Sequence, residues 1–157
     1  MSKSVFEQIR EWLQRENVSF RHVHHEPTYT SEESARARGE EVKVGGKALV
    51  VKVGDDFKLF VLSAALKFDS SAVKRHFNVK RIRFAEREEL ERLTGLVPGS
   101  VPPFGPPILN LSLYVDPSVM ANSNIAFNAG SLTDSVIMSV ADYQRIAKPE
   151  MFPFSQK

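Results

Sequence analysis

The 157-residue sequence contains no cysteine. This absence excludes disulfides, thiolate metal sites, iron–sulfur clusters and cysteine nucleophiles, and it fits a reducing compartment. Long apolar runs are also missing, since none approaches the roughly 20 residues that a membrane-spanning helix needs. The opening segment MSKSVFEQIREWLQREN carries charges throughout, unlike a secretory signal peptide. We therefore expect a cytoplasmic protein that does not contact a membrane.

The sequence also has no large excess of positive or negative charge. Lys and Arg total 21 against 19 Asp and Glu, which gives a net charge of +2. This excess is too small for a protein that coats nucleic acid by charge alone, although it allows a local basic patch. Hydrophobic residues make up 42% and charged residues 25%, as in ordinary globular proteins. The length predicts a single domain over residues 1–157.

Capping signals and apolar periodicity predict a mixture of helices and strands. Ser4 with Glu7, and Thr30 with Glu33, have the spacing of capping boxes at helix starts. The first helix should end near Asn17 and the second at 39. Strands are predicted at 18–25, 47–53, 57–63, 81–85, 108–116, 125–130 and 135–140, and further helices at 70–78, 86–95 and 141–148. The strands at 47–53 and 57–63 should form an antiparallel hairpin.

The segment VGGKALVVKV (44–53) places two glycines and a lysine before an apolar strand. It is not a phosphate-binding P-loop, because Glu41 replaces the first glycine of that motif and Ala48 replaces its Ser or Thr. A strand rather than a helix also follows the lysine. The segment therefore gives no support for nucleoside triphosphatase chemistry.

Lys47 is nevertheless unusual. Strand alternation places it on one face with Leu49, Val51 and Val53. If that face is packed, the lysine must meet an anion such as phosphate or carboxylate, or lose solvation energy. The alternative is a lysine at a strand end whose ammonium group reaches water.

Three of the four histidines lie close together, at 22, 24 and 25. His22 and His24 share a strand face, and Glu26 is nearby. Zinc needs three or four protein ligands, so strand-edge histidines are the favoured interpretation. We predict no metal and no cofactor. The sequence also lacks the G-x-S-x-G elbow of serine hydrolases.

Three further segments each allow two interpretations. Residues 97–107 contain five of the nine prolines and are either a plain connection or the stiff wall of a binding site. The FNAG segment (127–130) either makes a simple turn or brings backbone N–H groups close to a ligand. Residues 73–84 are either a solvated surface or a phosphate-binding patch. Their basic residues are Lys74, Arg75, Lys80, Arg81 and Arg83.

The segments 47–53, 93–105 and 125–149, in this order and spacing, resemble the YbaK / prolyl-tRNA-synthetase-associated domain family. Its members are trans-editing aminoacyl-tRNA deacylases, and the resemblance covers nearly the whole chain. Residues 125–149 are most similar to the YeaK-like branch, which is linked to removal of serine or threonine from tRNA. The implied fold is α/β, a mixed, mainly antiparallel sheet partly closed into a barrel-like shape with surrounding helices.

The resemblance also implies roles for individual residues. Lys47 matches the family lysine that contacts the tRNA 3′ end near the ester, and Gly130 belongs to the turn that binds the aminoacyl carbonyl. Ala129 stands where some members have glycine, and Ser135 aligns where some have aspartate, with Asp134 beside it. The implied substrate-binding residues are Gly99, Pro103, Phe104, Gly105, Asn128, Ala129 and Ser135.

We therefore expect hydrolysis of the ester between tRNA and a wrong small amino acid, such as serine, threonine or alanine. The expected partner is aminoacyl-tRNA, and an aminoacyl-tRNA synthetase is a further candidate. Two alternatives stay open at this point. One is a non-catalytic module that binds tRNA or a nucleotide, and the other is hydrolysis of a different aminoacyl or peptidyl ester.

Overall fold

A computed structural model describes residues 3–157. Its helices are α1 (Val5–Arg15), α2 (Ser31–Arg38), α3 (Ser70–Phe77), α4 (Arg87–Thr94), α5 (Pro117–Met120) and α6 (Val140–Ala147). Its strands are β1 (Phe20–His24), β2 (Gly46–Val53), β3 (Asp56–Ser63), β4 (Lys67–Phe68), β5 (Ile82–Phe84), β6 (Leu113–Val115), β7 (Asn124–Asn128), β8 (Asp134–Ser139), β9 (Glu150–Met151) and β10 (Ser155–Gln156). A short 3-10 helix, Val42–Val44, precedes β2.

The strands form a five-stranded sheet in the order β5-β2-β3-β6-β9, a three-stranded sheet in the order β1-β8-β7, and the pair β10-β4. The β3–β6 and β6–β9 pairs are parallel and the others antiparallel, so the mixed, mainly antiparallel α/β character is confirmed. The expected barrel-like closure is not supported, because the strands of residues 3–157 form separate open sheets. One isolated bridge, from Gly45 to Ala126, joins the edges of the two larger sheets.

The helix starts follow from the capping residues in the sequence. The Ser4 hydroxyl accepts a hydrogen bond from the Glu7 N–H, and Thr30 and Glu33 form a reciprocal capping box. Gly39 ends α2 in the left-handed conformation at φ 72°. The predicted helix boundaries therefore agree with the structure to within a residue or two, because local hydrogen bonds determine them.

The five-stranded sheet is buried on both faces. One face carries Val50, Leu59 and Val61 and packs against the helices and the three-stranded sheet. The other face carries Val51 and Phe60 and packs against α3 and the C-terminal segment. Strands buried on both faces read as continuous apolar runs, which explains the composition of 47–53 and 57–63.

One strand prediction was too long. The predicted strand 108–116 is reduced to β6, because Ile108 and Leu109 both donate backbone hydrogen bonds to Gly105 in a turn. Five short elements were not predicted: the 3-10 helix, α5, β4, β9 and β10. None of the helices described between residues 3 and 157 has the length and apolarity that a membrane span requires.

Candidate active site

A cavity of about 230 Å³ opens beside the first half of β2. β5 pairs only with residues 51–53 of β2, so the edge near Lys47 has no neighbouring β5 residue. The lining comes from positions 28–31, 34, 38, 45–49, 64, 99, 101 and 128. These positions include two cationic side chains, Lys47 and Arg38, and no carboxylate. The cavity therefore favours an anionic or oxygen-rich ligand.

Lack of space explains the two glycines at the start of β2, Gly45 just before the strand and Gly46 as its first residue. A Cβ atom on Gly46 would lie 2.6 Å from Cδ1 of Ile125, and one on Gly45 would lie 3.1 Å from Cβ of Ala64. Gly45 has a φ of -63°, which any residue can adopt, so a left-handed turn is not the reason for glycine here. The glycines let the start of β2 approach β7 closely, which brings Lys47 and Asn128 to the same cavity.

Lys47 lies half-buried at the start of β2, opposite Leu62 on β3. Its Nζ donates a hydrogen bond to the Leu66 carbonyl at 3.1 Å. Burial lowers the pKa of Lys47, and the Glu32 carboxylate partly opposes that effect. No salt bridge among residues 3–157 involves this lysine. Its ammonium group therefore has hydrogen-bonding capacity and charge left for a ligand.

Arg38 ends α2 and is only 7% exposed. Its Nε donates to the Ser135 hydroxyl at 3.0 Å, and its Nη2 donates to Oδ1 of Asn128 at 3.1 Å. Nδ2 of Asn128 donates to the Gly99 carbonyl at 2.8 Å. A guanidinium can only donate, so Arg38 fixes which way the Asn128 amide points. Burial lowers the pKa of Arg38 to about 10, against the opposing influence of Glu40.

Ser135 lies beneath this network and is fully buried. Its hydroxyl donates to Oδ1 of Asn128, accepts from Arg38, and lies 2.8 Å from Nε2 of His25. These contacts use the one donor and two acceptor sites of a serine hydroxyl. The geometry therefore favours support of Asn128 over the direct substrate contact that the sequence suggested for Ser135.

The proline-rich loop contributes Gly99 and Val101 to the cavity, and Gly99 is exposed with a φ of 90°. Pro103, Phe104 and Gly105 are buried behind the cavity and do not line it. Phe104 is fully buried among core aromatic rings, and the Tyr143 hydroxyl donates to the Pro103 carbonyl at 2.6 Å. The loop is thus a stiff wall at one end and part of the core at the other.

The turn after β7 does not line the cavity. Ala129 is fully buried, and its N–H donates to the Asp134 carbonyl at 2.9 Å. Gly130 has a φ of 73°, and a Cβ there would lie 2.6 Å from Cγ1 of Val5 on α1. The structure therefore gives Gly130 a packing role and does not place it where it would bind a carbonyl in the cavity.

The histidine cluster lies beside β8 and centres on Asp134. Nε2 of His22 and Nδ1 of His24 both contact Oδ1 of Asp134, at 2.8 and 2.9 Å. Burial raises the pKa of Asp134, but hydrogen bonds from His24, His22 and Ser131 outweigh burial and lower it to about 2. Among residues 3–157, no group of three or more His, Asp or Glu side chains is arranged to hold a metal ion.

The basic residues of 73–84 gather in part. A separate depression is lined by Lys52, Gly54, Asp55, Lys74, Lys80, Arg81, Ile82 and Arg83. Arg83 is already paired with both carboxylate oxygens of Glu89, at 2.7 and 2.9 Å. Arg75 does not belong to the lining of this depression. Four cations of the predicted patch therefore share one surface, and one of them is neutralised.

Several cavity residues were not singled out by the sequence analysis, among them Arg38 and Tyr29. Arg38 lies in the polar segment SEESARAR, where an arginine is usually exposed. One feature of the sequence could have indicated that Arg38 is buried. It lies three residues after Ala35, and residues three apart share a helix face. Tyr29 is 75% exposed at the rim of the cavity, and no periodic pattern marks it.

The cavity lies beside β2 and α2, and its two cations and lack of carboxylates suit an oxygen-rich ligand. The sequence pattern of the aminoacyl-tRNA editing domain family matches residues 25–146, most of the chain. The chain belongs to this family, which confirms the resemblance found in the sequence.

Individual relatives agree. Over 149 residues the chain is 39% identical to the multifunctional Ser/Thr-tRNA deacylase ProXp-y of Escherichia coli (strain K12), covering 90% of this chain and 87% of that protein. It is 25% identical over 138 residues to the prolyl-tRNA editing protein ProX of Acetoanaerobium sticklandii, covering 83% of each. A crystal structure of a proposed trans-editing enzyme for prolyl-tRNA synthetase matches with a TM-score of 0.83 at 21% identity, covering all of both chains, and supports the fold.

Proposed function

We propose that this protein hydrolyses the ester of mischarged aminoacyl-tRNA, with seryl and threonyl groups preferred over alanyl. The observation that carries the proposal is a small cavity with two cations and no carboxylate, in a chain whose residues 25–146 match this editing family. The 39% identity to a Ser/Thr-tRNA deacylase supports the preference for hydroxyl-bearing amino acids. We place the reaction in the cytosol and assign the whole chain to one editing domain.

Positioning and charge stabilisation supply most of the catalysis in this proposal, because an aminoacyl ester is already activated. Lys47 holds the phosphate of the terminal nucleotide at the mouth of the cavity. The exposed ring of Tyr29 offers a stacking surface for the terminal base. Water attacks the carbonyl carbon, assisted by the free hydroxyl of the terminal ribose.

Asn128 is proposed to read the side-chain hydroxyl of the substrate. Its amide orientation is fixed by Arg38, and one N–H of Nδ2 is committed to the Gly99 carbonyl. Within residues 3–157 the second N–H of that amide has no acceptor, so it is available in the cavity. A substrate without a hydroxyl would leave this N–H unpaired, which disfavours that substrate strongly. A difference of a single methylene between two substrates changes their relative rates much less.

Binding of the tRNA body is assigned to the depression around Lys74, Lys80 and Arg81. Phosphate contacts of this kind release counterions, so the affinity should fall as salt rises. A synthetase that hands over its product at this surface stays a candidate partner.

The test is a rate comparison with seryl-, threonyl-, alanyl- and phenylalanyl-tRNA at one ionic strength, using catalytic amounts of protein. We expect many turnovers on the first two substrates, slower reaction with alanyl-tRNA, and none with phenylalanyl-tRNA. Binding without turnover would instead identify a non-catalytic tRNA-binding module. Rapid release of phenylalanine, with serine and threonine untouched, would show that the cavity does not select small polar side chains.

A further inference from the structure

Arg38 is a buried cation whose charge has no anionic partner. It is 7% exposed, and no salt bridge among residues 3–157 includes it. Two of its nitrogens donate to neutral oxygens, those of Ser135 and Asn128. In the same described region the third nitrogen, Nη1, has no acceptor, although Arg38 lines the cavity. No fully buried side-chain nitrogen or oxygen of residues 3–157 lacks a partner, so Nη1 keeps some exposure and can donate to an oxygen that enters the cavity.

The substrate of the proposed reaction offers two such oxygens, the terminal phosphate and the ester carbonyl. Lys47 is half-buried, whereas Arg38 is almost completely buried at the inner wall. The aminoacyl group is the part of the substrate that enters the cavity, while the phosphate continues into the tRNA chain outside. The deeper cation should therefore meet the carbonyl, and Lys47 should meet the phosphate.

The turn after β7 leaves the carbonyl without its expected partner. The Ala129 N–H is already bonded to the Asp134 carbonyl, and Gly130 packs against Val5 outside the cavity. A reaction that develops negative charge on oxygen needs a donor aimed at that atom. Nη1 of Arg38 is such a donor, and it lies beside Gly45, another lining residue, since a Cβ built there would be 3.5 Å from it.

We propose that Arg38 is a catalytic residue whose Nη1 binds the ester carbonyl oxygen and stabilises the oxyanion that forms there. This assignment rests on the proposed function. Water adds to the carbonyl carbon, and the electron pair of the C=O π bond moves onto the oxygen held by Arg38. When that pair returns, the bond to the ribose oxygen breaks. The ribose oxygen takes a proton from the attacking water, and the remaining hydroxyl becomes part of the free amino acid.

The surrounding hydrogen bonds hold this donor in place before the substrate arrives. Nε and Nη2 are anchored to Ser135 and Asn128, which fixes the plane of the guanidinium and hence the direction of Nη1. A donor with a fixed direction need not reorganise as charge develops, and this is the condition under which such donors are most effective. A lysine at position 38 could carry the charge but could not keep all three contacts.

The experiment compares steady-state hydrolysis of seryl-tRNA by wild-type protein, Arg38→Ala and Arg38→Lys. We expect kcat to fall roughly 100- to 1,000-fold in Arg38→Ala, as for loss of one oxyanion donor, with a smaller rise in KM because Asn128 loses the contact that orients its amide. The kcat of Arg38→Lys should lie between those of wild type and Arg38→Ala. This variant keeps the positive charge and should fold. Arg36→Ala is the matched control, because Arg36 is exposed on the same helix.

Two further measurements separate catalysis from structural support. Added guanidinium ion, at millimolar concentration, should restore part of the kcat of Arg38→Ala and leave Arg36→Ala unchanged. Seryl-adenosine, which has no phosphate, should show the same loss in Arg38→Ala as seryl-tRNA does, whereas the effect of removing Lys47 should shrink. Thermal melting of each variant checks that it is folded.

The assignment is overturned if folded Arg38→Ala keeps its kcat, or if its defect lies in KM and disappears with seryl-adenosine. The second result would make Arg38 a phosphate-binding residue. The wild-type rate tests the proposed function separately. Turnover by wild-type protein together with an unimpaired Arg38→Ala rejects only the role of Arg38, whereas no turnover of any charged tRNA by wild-type protein rejects the function itself.

Discussion

Replacing Lys47 with methionine should separate the function of this residue from its contribution to stability. Methionine has a similar length and no charge. The change removes the hydrogen bond to the Leu66 carbonyl, which contributes about 1.5–3 kcal/mol when the donor is charged. It also removes the penalty of holding a half-buried ammonium group without an anion, which acts in the opposite direction. Leu66 is itself only half-buried, so water can replace the lost donor.

These opposing contributions should leave the free energy of unfolding of Lys47→Met within about 1 kcal/mol of wild type. Catalysis has no such compensation. Loss of a charge-assisted phosphate contact, and of the positioning it provides, should reduce transition-state stabilisation by about 2–4 kcal/mol. At about 1.36 kcal/mol per factor of ten, kcat/KM should fall roughly 30- to 900-fold. KM should rise as well, because the phosphate is bound in the ground state too.

The assay pairs deacylation of seryl-tRNA with thermal melting of the same protein samples. Lys43→Met is the matched control, because Lys43 is exposed and lies just before β2 with its ammonium group 3.7 Å from Glu41. The control should keep both activity and melting temperature. Near-normal kcat/KM in folded Lys47→Met would refute the role given to this lysine, and a parallel collapse of melting temperature would show that its role is structural.

Three other outcomes follow from the structure. Gly130→Ala should destabilise the fold by about 2–4 kcal/mol, because the φ of Gly130 is 73° and an added Cβ would meet Val5. A variant that keeps its stability and loses only activity would instead indicate a catalytic role for the turn. Asp134 has a pKa of about 2, below its usual 3.8, so its stabilising contribution is present above about pH 4 and is lost towards pH 2. The melting-temperature gap between wild type and Asp134→Asn should therefore close over that range, and a constant gap would contradict this. Activity should survive EDTA, because the chain has no cysteine and His22 and His24 are bonded to Asp134; a loss restored by zinc would reveal a metal ligand set.

Local signals in the sequence predicted the parts of this fold that local contacts determine. The caps at Ser4 and Thr30 were readable because a side chain and a backbone N–H three residues away are enough to start a helix. The face of β2 on which Lys47 lies could be predicted, because side chains alternate along a strand with a fixed period. The short strands β9 and β10 were not readable, since their partners lie far away in the sequence.

The candidate site was less predictable because its chemistry depends on contacts between distant segments. Arg38 has the local sequence of an exposed helix residue, and only the approach of Asn128 and Ser135 buries it. Gly130 has the local sequence of a ligand-binding turn, and only the position of α1 reveals its packing role. In both residues the side chain type was informative, but its environment was decided by tertiary structure.

The question of why glycines precede Lys47 has a tertiary answer too. A Cβ on Gly46 would clash with Cδ1 and Cγ1 of Ile125, so a larger residue would force that side chain or the start of β2 to move. A shift of β2 away from β7 would separate Lys47 from Asn128, which lies at the end of β7. The glycine pair therefore sets the distance across the cavity between Lys47, proposed to bind phosphate, and Asn128, proposed to bind the substrate hydroxyl. Under the proposed function, selectivity for a small aminoacyl group depends on that separation, because a wider cavity would admit larger side chains as readily.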